Sequence, residues 1–267
     1  MPSPTALITG ASGGIGRALA QQFAEHGYDL ILVARSVEAL EIAAREVGAR
    51  TVHRIPADLS QPHSAAALVD RLSASSLQVD VLVNNAGFGL QGEFAKLPLE
   101  KQLEMIQLNL TTVTELTGLL LPAIIARGSG GVLNVASTAA FQAGPLMSVY
   151  FATKAYVLSF TEGLAEELTG RGLKISCLCP GPTATGFAER AGMIGTNMFK
   201  GSVMDVADVA REGFDGWAAG KVVVVPGFTN RRGTLAVRLF PRSLVRRVIK
   251  QLNSVSGAGD RGPSRPH

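Results

Sequence analysis

Seven short apolar runs alternate with helical stretches along this chain, and that alternation restricts the fold more than any other feature. The runs are Ala6–Thr9, Asp29–Ala34, Thr51–Ile55, Val79–Asn84, Gly131–Ser137, Lys174–Cys179 and Lys221–Val225. Between them lie stretches of helical length such as Ile15–His26, Val37–Val47, Ser64–Ser75 and Leu99–Arg127, with another from Tyr150 to about Thr169. Strands alternating with helices predict an α/β fold, a doubly wound, mostly parallel seven-stranded sheet with helices on both faces. The 267 residues suit one large domain over residues 1–228, with no repeat or linker to split it. With 46% hydrophobic and 17% charged residues, a largely disordered chain is excluded.

In such sheets ligands bind beyond the C-terminal strand ends, so informative residues should sit just after strands. After the first run comes Thr9-Gly10-Ala11-Ser12-Gly13-Gly14-Ile15-Gly16, which opens the first helix. Glycines there let the backbone turn tightly and approach a pyrophosphate, and the helix N-terminus attracts its charge. The spacing is G-x-x-x-G-x-G rather than the common G-x-G-x-x-G. A glycine-rich turn with no ligand is the plain alternative. At the first strand–helix junction of a doubly wound sheet, a dinucleotide is favoured.

The second run ends at Ala34, where an NAD site would place an acid for the ribose 2′-hydroxyl. Arg35 and Ser36 follow instead, and Arg17 in the first helix can add a second positive charge. Together they favour NADP(H) over NAD(H), since an arginine accommodates a 2′-phosphate. Asp58-Leu59 follows the third run, where a carboxylate can meet the adenine amino group. Asn84-Asn85-Ala86-Gly87 ends the fourth, with small residues that let the backbone pass close to a cofactor. Asp58 and the asparagines are equally readable as helix caps or turn residues, and both roles can hold at once.

Tyr150 and Lys154 lie four residues apart, on one face of a helix. A free phenol has a pKa of roughly 10, and an ammonium one turn away is expected to lower it. Ser137, thirteen residues upstream, offers a hydroxyl to the carbonyl or alcohol oxygen that the phenol protonates or deprotonates. Tyr-x-x-x-Lys is also common on solvent-facing helices, so the pair acquires meaning from its surroundings.

Taken in order, Thr9-Gly10-x-x-x-Gly14-x-Gly16, Asp58, Asn84-Asn85-Ala86-Gly87, Asn109, Ser137, Tyr150-x-x-x-Lys154 and Pro180-Gly181 resemble the short-chain dehydrogenase/reductase family over roughly residues 5–228. The resemblance implies a Rossmann-type, homodimeric or homotetrameric oxidoreductase acting on CH–OH and C=O groups. Tyr150 would be general acid or base, Ser137 would hold the substrate oxygen, and Lys154 would bind the nicotinamide ribose. Asn109 would anchor a water in a proton relay. Pro180, Gly181, Thr183 and Thr185 would contact the nicotinamide and pyrophosphate.

Substrate choice is expected in 139–149 and in 184–204, an apolar, glycine-interspersed segment suited to a lid. Phe88, Phe141, Met147, Phe187 and Met193 are the expected lining, which suits a hydrophobic ketone, aldehyde or secondary alcohol. Each of them could instead pack a small local core. Cys177 and Cys179 read as a reduced buried pair, and the four scattered histidines suggest no metal site.

The net charge of +4 is a C-terminal property. Seven cations and no acid lie between Thr229 and Asn253, and without that segment the chain is net acidic. A nucleic-acid role is therefore unsupported. Residues 229–253 form a basic amphipathic extension, with Ser243 as a helix cap. Its apolar face is expected to pack on the domain or a second subunit. Peripheral contact with an anionic membrane is the other reading. Residues 254–267 read as a disordered tail. No signal precedes the first strand, and the helix around Leu116–Ala126, interrupted by Pro122, is expected to fall short of a membrane span, so the expected location is cytoplasmic. A regulatory NADP-binding protein with little turnover, or a membrane-peripheral one, are the alternative functions.

Overall fold

The structure, a computed structural model, describes residues 3–200 and 203–254. The first half runs β1 (Thr5–Thr9), α1 (Gly14–Glu25), β2 (Asp29–Ala34), α2 (Val37–Glu46), β3 (Val52–Pro56), α3 (Ser64–Ala74) and β4 (Val81–Asn84). Then come α4 (Leu99–Ile106), α5 (Thr112–Arg127), β5 (Gly131–Val135), α6 (Ser148–Glu167), β6 (Lys174–Leu178) and α7 (Phe187–Arg190). The chain continues through α8 (Val206–Ala218), β7 (Val223–Val224), α9 (Phe228–Leu239) and α10 (Arg242–Asn253).

All seven strands are parallel, in the order β3-β2-β1-β4-β5-β6-β7. Register sets Leu7 beside both Ile31 and Leu82, and Leu82 beside Val132, so one apolar row crosses the sheet. That row packs on α3, α5 and α6. Ile8, Leu30, Leu32, Val83 and Leu133 point the other way, onto α1, α2 and α8. Strand order reverses between β1 and β4, and a ligand cleft belongs at the strand ends there.

Three sequence expectations need correction. Pro122 lies inside α5 without ending it, and α4 and α5 are joined by a π-turn, Gln107–Thr111. The continuous 29-residue run Leu99–Arg127 is long and apolar enough to cross a membrane by length and composition. Its Leu116, Leu120 and Ile124 are nonetheless buried against the sheet, as in a core helix. Ser243 is not a cap, because α10 starts one residue earlier behind Pro241. Finally, α9 is an additional helix ahead of it. The expected tail lies, after Ser254, outside the described residues.

Candidate active site

A cleft of about 770 Å³ opens at the strand-order switch. Its floor begins at the glycine loop. Gly10 has φ +66°, and a β-carbon there would lie 2.8 Å from the Asn85 side chain and 3.0 Å from the Ala86 Cα. The second loop is tied to the first by Thr9, whose hydroxyl accepts from the N–H groups of Asn85 and Ala86, each at 3.0 Å. Asn85 returns a hydrogen bond from its amide to the Thr9 carbonyl at 2.9 Å. α1 then starts behind Gly13 with no side-chain cap and no acid in its first turn. Its leading N–H groups are left for an anionic ligand. This cradle fits a dinucleotide pyrophosphate.

Gly10, Ser12, Gly14, Ile15, Arg35, Asp58, Leu59, Asn85, Ala86 and Gly87 all line the cleft. So do Ser137, Tyr150, Lys154, Pro180, Gly181, Thr183 and Thr185. Gly16 does not: a β-carbon there would run into the Gly10 carbonyl and the Asn85 side chain. Arg17 and Ser36 also lie outside the lining. The Arg17 guanidinium is 2.7 Å from Glu46 of α2. Ser36 caps α2, accepting from the Ala39 N–H at 3.1 Å and donating to Glu38 at 2.8 Å. Asp58 accepts from the Ser60 hydroxyl at 2.7 Å and from Gln61 at 3.3 Å. Burial pushes its carboxyl up, but the Ser60 and Gln61 hydrogen bonds and the Arg35 charge together hold it below the usual range.

At the chemical end, α6 presents Tyr150 and Lys154, both buried. The Lys154 Nζ donates to the Val135 carbonyl at 2.8 Å and sits 5.8 Å from the Tyr150 ring centroid. Burial lowers the Lys154 pKa to about 8. Burial likewise pushes the Tyr150 phenol up to about 12, with a Ser137 hydrogen bond offsetting part of the rise. The expected lowering of Tyr150 by Lys154 is therefore not met here. Desolvation of the phenol outweighs an ammonium already engaged with a carbonyl.

Asn109 sits in the π-turn and is not in the lining. Its Oδ1 accepts from the Phe88 N–H at 3.1 Å, and its Nδ2 donates to the Phe88 carbonyl at 2.9 Å and to Thr153 at 3.2 Å. The side chain is thus occupied in joining the 85–88 loop to α6. A β-carbon on Gly87 would lie 2.9 Å from this Oδ1 and 3.6 Å from the Lys154 Nζ, so the loop passes close beside the lysine.

Phe88, Met147, Phe187 and Met193 line the substrate end as expected, with the Phe187 ring 5.4 Å from that of Tyr150. Phe141 does not. It ends the short 3₁₀ turn Thr138–Phe141 and packs into the cluster of Ala140, Val157 and Cys177. The cysteines of that cluster are free thiols 3.7 Å apart. Gln142 and Arg190, within the two segments expected to set substrate choice, also line the cleft, as do Leu90 and Asn253, which lie outside those segments. Asn253 is fully buried, its amide donating to the Pro145 carbonyl at 2.9 Å. The side-chain oxygens of Gln142 and Asn253 are buried without a hydrogen-bond partner. Among the described residues no cluster of His, Cys, Asp and Glu could hold a metal.

The sequence model of the short chain dehydrogenase family matches residues 4–193. The chain is 37% identical to ketoacyl reductase HetN of a Nostoc species over 180 residues, which are 66% of this chain but only 62% of that protein. A short-chain dehydrogenase from Sphingobium yanoikuyae, in complex with NADPH, superimposes with a TM-score of 0.78 at 32% identity, covering 95% of this chain and 99% of that one. A bulky-bulky ketone specific alcohol dehydrogenase from Comamonas testosteroni does so with a TM-score of 0.74 at 29% identity, covering 97% and 100%. Sequence and fold agree, and the chain belongs to the short-chain dehydrogenase/reductase family of oxidoreductases.

Proposed function

We propose that this protein reversibly reduces a hydrophobic ketone or aldehyde to an alcohol with NADP(H), Tyr150 serving as the proton donor. The observation that carries the reading is the burial of Tyr150 beside Ser137 and Lys154 at the chemical end of the nucleotide cleft. When bound, the nicotinamide supplies or accepts the hydride. The chain's own residues manage the oxygen and its proton. With its pKa raised to about 12, Tyr150 stays protonated through neutral pH and can donate to the substrate oxygen. Ser137 would hydrogen-bond the same oxygen, orienting the carbonyl carbon toward the hydride donor. Lys154 stands ready to hold ribose hydroxyls and to favour the phenolate once the proton has left.

Support for NADP(H) over NAD(H) is the cleft-lining Arg35 directly after Ala34, with no acid in that place. The Sphingobium protein, solved with NADPH, points the same way. Arg17 can join only by leaving Glu46, so Arg35 is the residue on which this preference rests.

The lining of Phe88, Leu90, Met147, Phe187 and Met193 suits a large apolar substrate, in keeping with the bulky ketones of the Comamonas protein. The unpartnered oxygens of Gln142 and Asn253 add acceptors for a hydroxyl or N–H carried away from the carbonyl. Cytoplasmic homo-oligomers are part of the same proposal. A panel of bulky and small ketones assayed with NADPH and NADH in parallel tests it. NADPH oxidation that favours the bulky ketones is expected, and NADH preference or no turnover across the panel would refute it.

A further inference from the structure

The last two described helices have inner faces that pack and outer faces that stay exposed among the described residues. On α10, Val245, Ile249 and Leu252 join the cluster of Met147, Tyr150 and Met193, and the buried Asn253 walls the cleft. On α9, the buried Thr234 and the Arg231–Glu212 ion pair face the domain. The outward residues of α9 fall at seven- and four-residue steps. Phe228, Leu235 and Leu239 are 71%, 61% and 84% exposed. Phe240 follows at the corner, and Leu244 and Val248 continue the exposed apolar series along α10. A soluble domain rarely leaves so large an apolar series open unless it meets something.

The charge around it narrows what that is. Seven cations and no acid lie in 229–253. Arg231 alone among them forms an ion pair among the described residues, while Arg232 lies over the Phe228 ring at 5.5 Å. A second copy meeting this face across a two-fold axis would set arginines against arginines with no carboxylate between them. A nucleic acid would satisfy the cations but leave the leucines in water. An anionic lipid surface satisfies both, because aliphatic side chains enter the acyl boundary while arginines stay among the phosphates.

We infer that the outer face of α9 and α10 docks on anionic membranes. The inference is independent of the substrate and cofactor reading. It sets the helix that walls the substrate end of the cleft against the lipid.

Sedimentation of the full chain with phosphatidylcholine vesicles, with and without about 30 mol% phosphatidylglycerol, tests it. Binding to the anionic vesicles only, weakened by salt, is expected. Leu235→Ser with Leu239→Ser should lower the partition coefficient about tenfold or more. Arg238→Gln with Arg242→Gln should lower it about tenfold or more as well. Circular dichroism and NADPH-binding measurements on both variants establish that they remain folded. Absence of binding, equal binding to neutral vesicles, or binding insensitive to the leucine changes would overturn the inference. So would dissociation of an oligomer by the leucine variant, seen by light scattering, with vesicle binding unchanged, since the face would then cover a second copy.

Discussion

Replacing Lys154 with methionine should abolish turnover while making the protein more stable at neutral pH. Methionine fills the same buried space without a charge. Burial lowers the lysine from 10.5 to about 8, so in the folded protein the ammonium is disfavoured by about 3 kcal/mol relative to the unfolded chain. Methionine also leaves the Val135 carbonyl without its 2.8 Å donor, which gives back about 1–2 kcal/mol. The net gain expected at pH 7 is therefore about 1–2 kcal/mol.

The pH dependence is more diagnostic than that sum. Because the folded pKa lies below the unfolded one, the unfolded chain binds more protons between pH 8 and 10.5. Wild-type stability therefore rises with pH in that window as the buried ammonium is neutralised. By pH 10 most of the penalty is gone, and the advantage of the methionine variant should shrink by about 2 kcal/mol. Urea denaturation of both proteins at pH 7 and pH 10 measures this, because other titrating groups cancel in the difference. A stability difference that is the same at both pH values would refute the reasoning.

Arg35→Ala should raise the KM for NADPH about tenfold or more and leave that for NADH nearly unchanged, and equal effects on both would count against the 2′-phosphate assignment. Glu46→Gln releases Arg17, and a drop of a few-fold in the NADPH KM with NADH unaffected is the outcome expected if Arg17 reaches the phosphate. Asn109→Leu strands both the N–H and the carbonyl of Phe88, so denaturation should show a loss of about 2–4 kcal/mol together with a lower kcat. A loss under about 0.5 kcal/mol would mean that the π-turn does not hold the 85–88 loop.

The sheet was legible because buried parallel strands leave contiguous apolar runs, and every strand falls where such a run predicts it. Several strands are shorter than their runs, β4 at Val81–Asn84 and β5 at Gly131–Val135 among them, and β7 shortens most, to Val223–Val224 at the sheet edge, where one neighbour is missing. The residues that line the cleft along the backbone, from Gly10 to Gly87, were legible for the same reason, since position after a strand decides their place. Side chains whose partners lie elsewhere were not. Arg17 and Ser36 carry suitable chemistry, but Glu46 and Glu38 of α2 engage them, and no local pattern announces that. Phe141 was misplaced because the 3₁₀ turn after Ser137 redirects its ring into the layer of Val157. Periodicity did not reveal α9, because its apolar residues face outward and its buried side is polar. The Tyr150 pKa went against expectation because burial is a property of the whole fold, whereas the four-residue spacing to Lys154 is local.

The central claim is that Tyr150 delivers the proton while other residues hold the nucleotide. Its most direct test is a single-turnover measurement of NADPH oxidation by an accepted ketone in wild type and Tyr150→Phe, with NADPH affinity titrated in each. The account predicts a rate loss of about 10²–10⁴-fold in the variant, with NADPH affinity changed by no more than a few-fold. Single-turnover oxidation within about tenfold of wild type would contradict it.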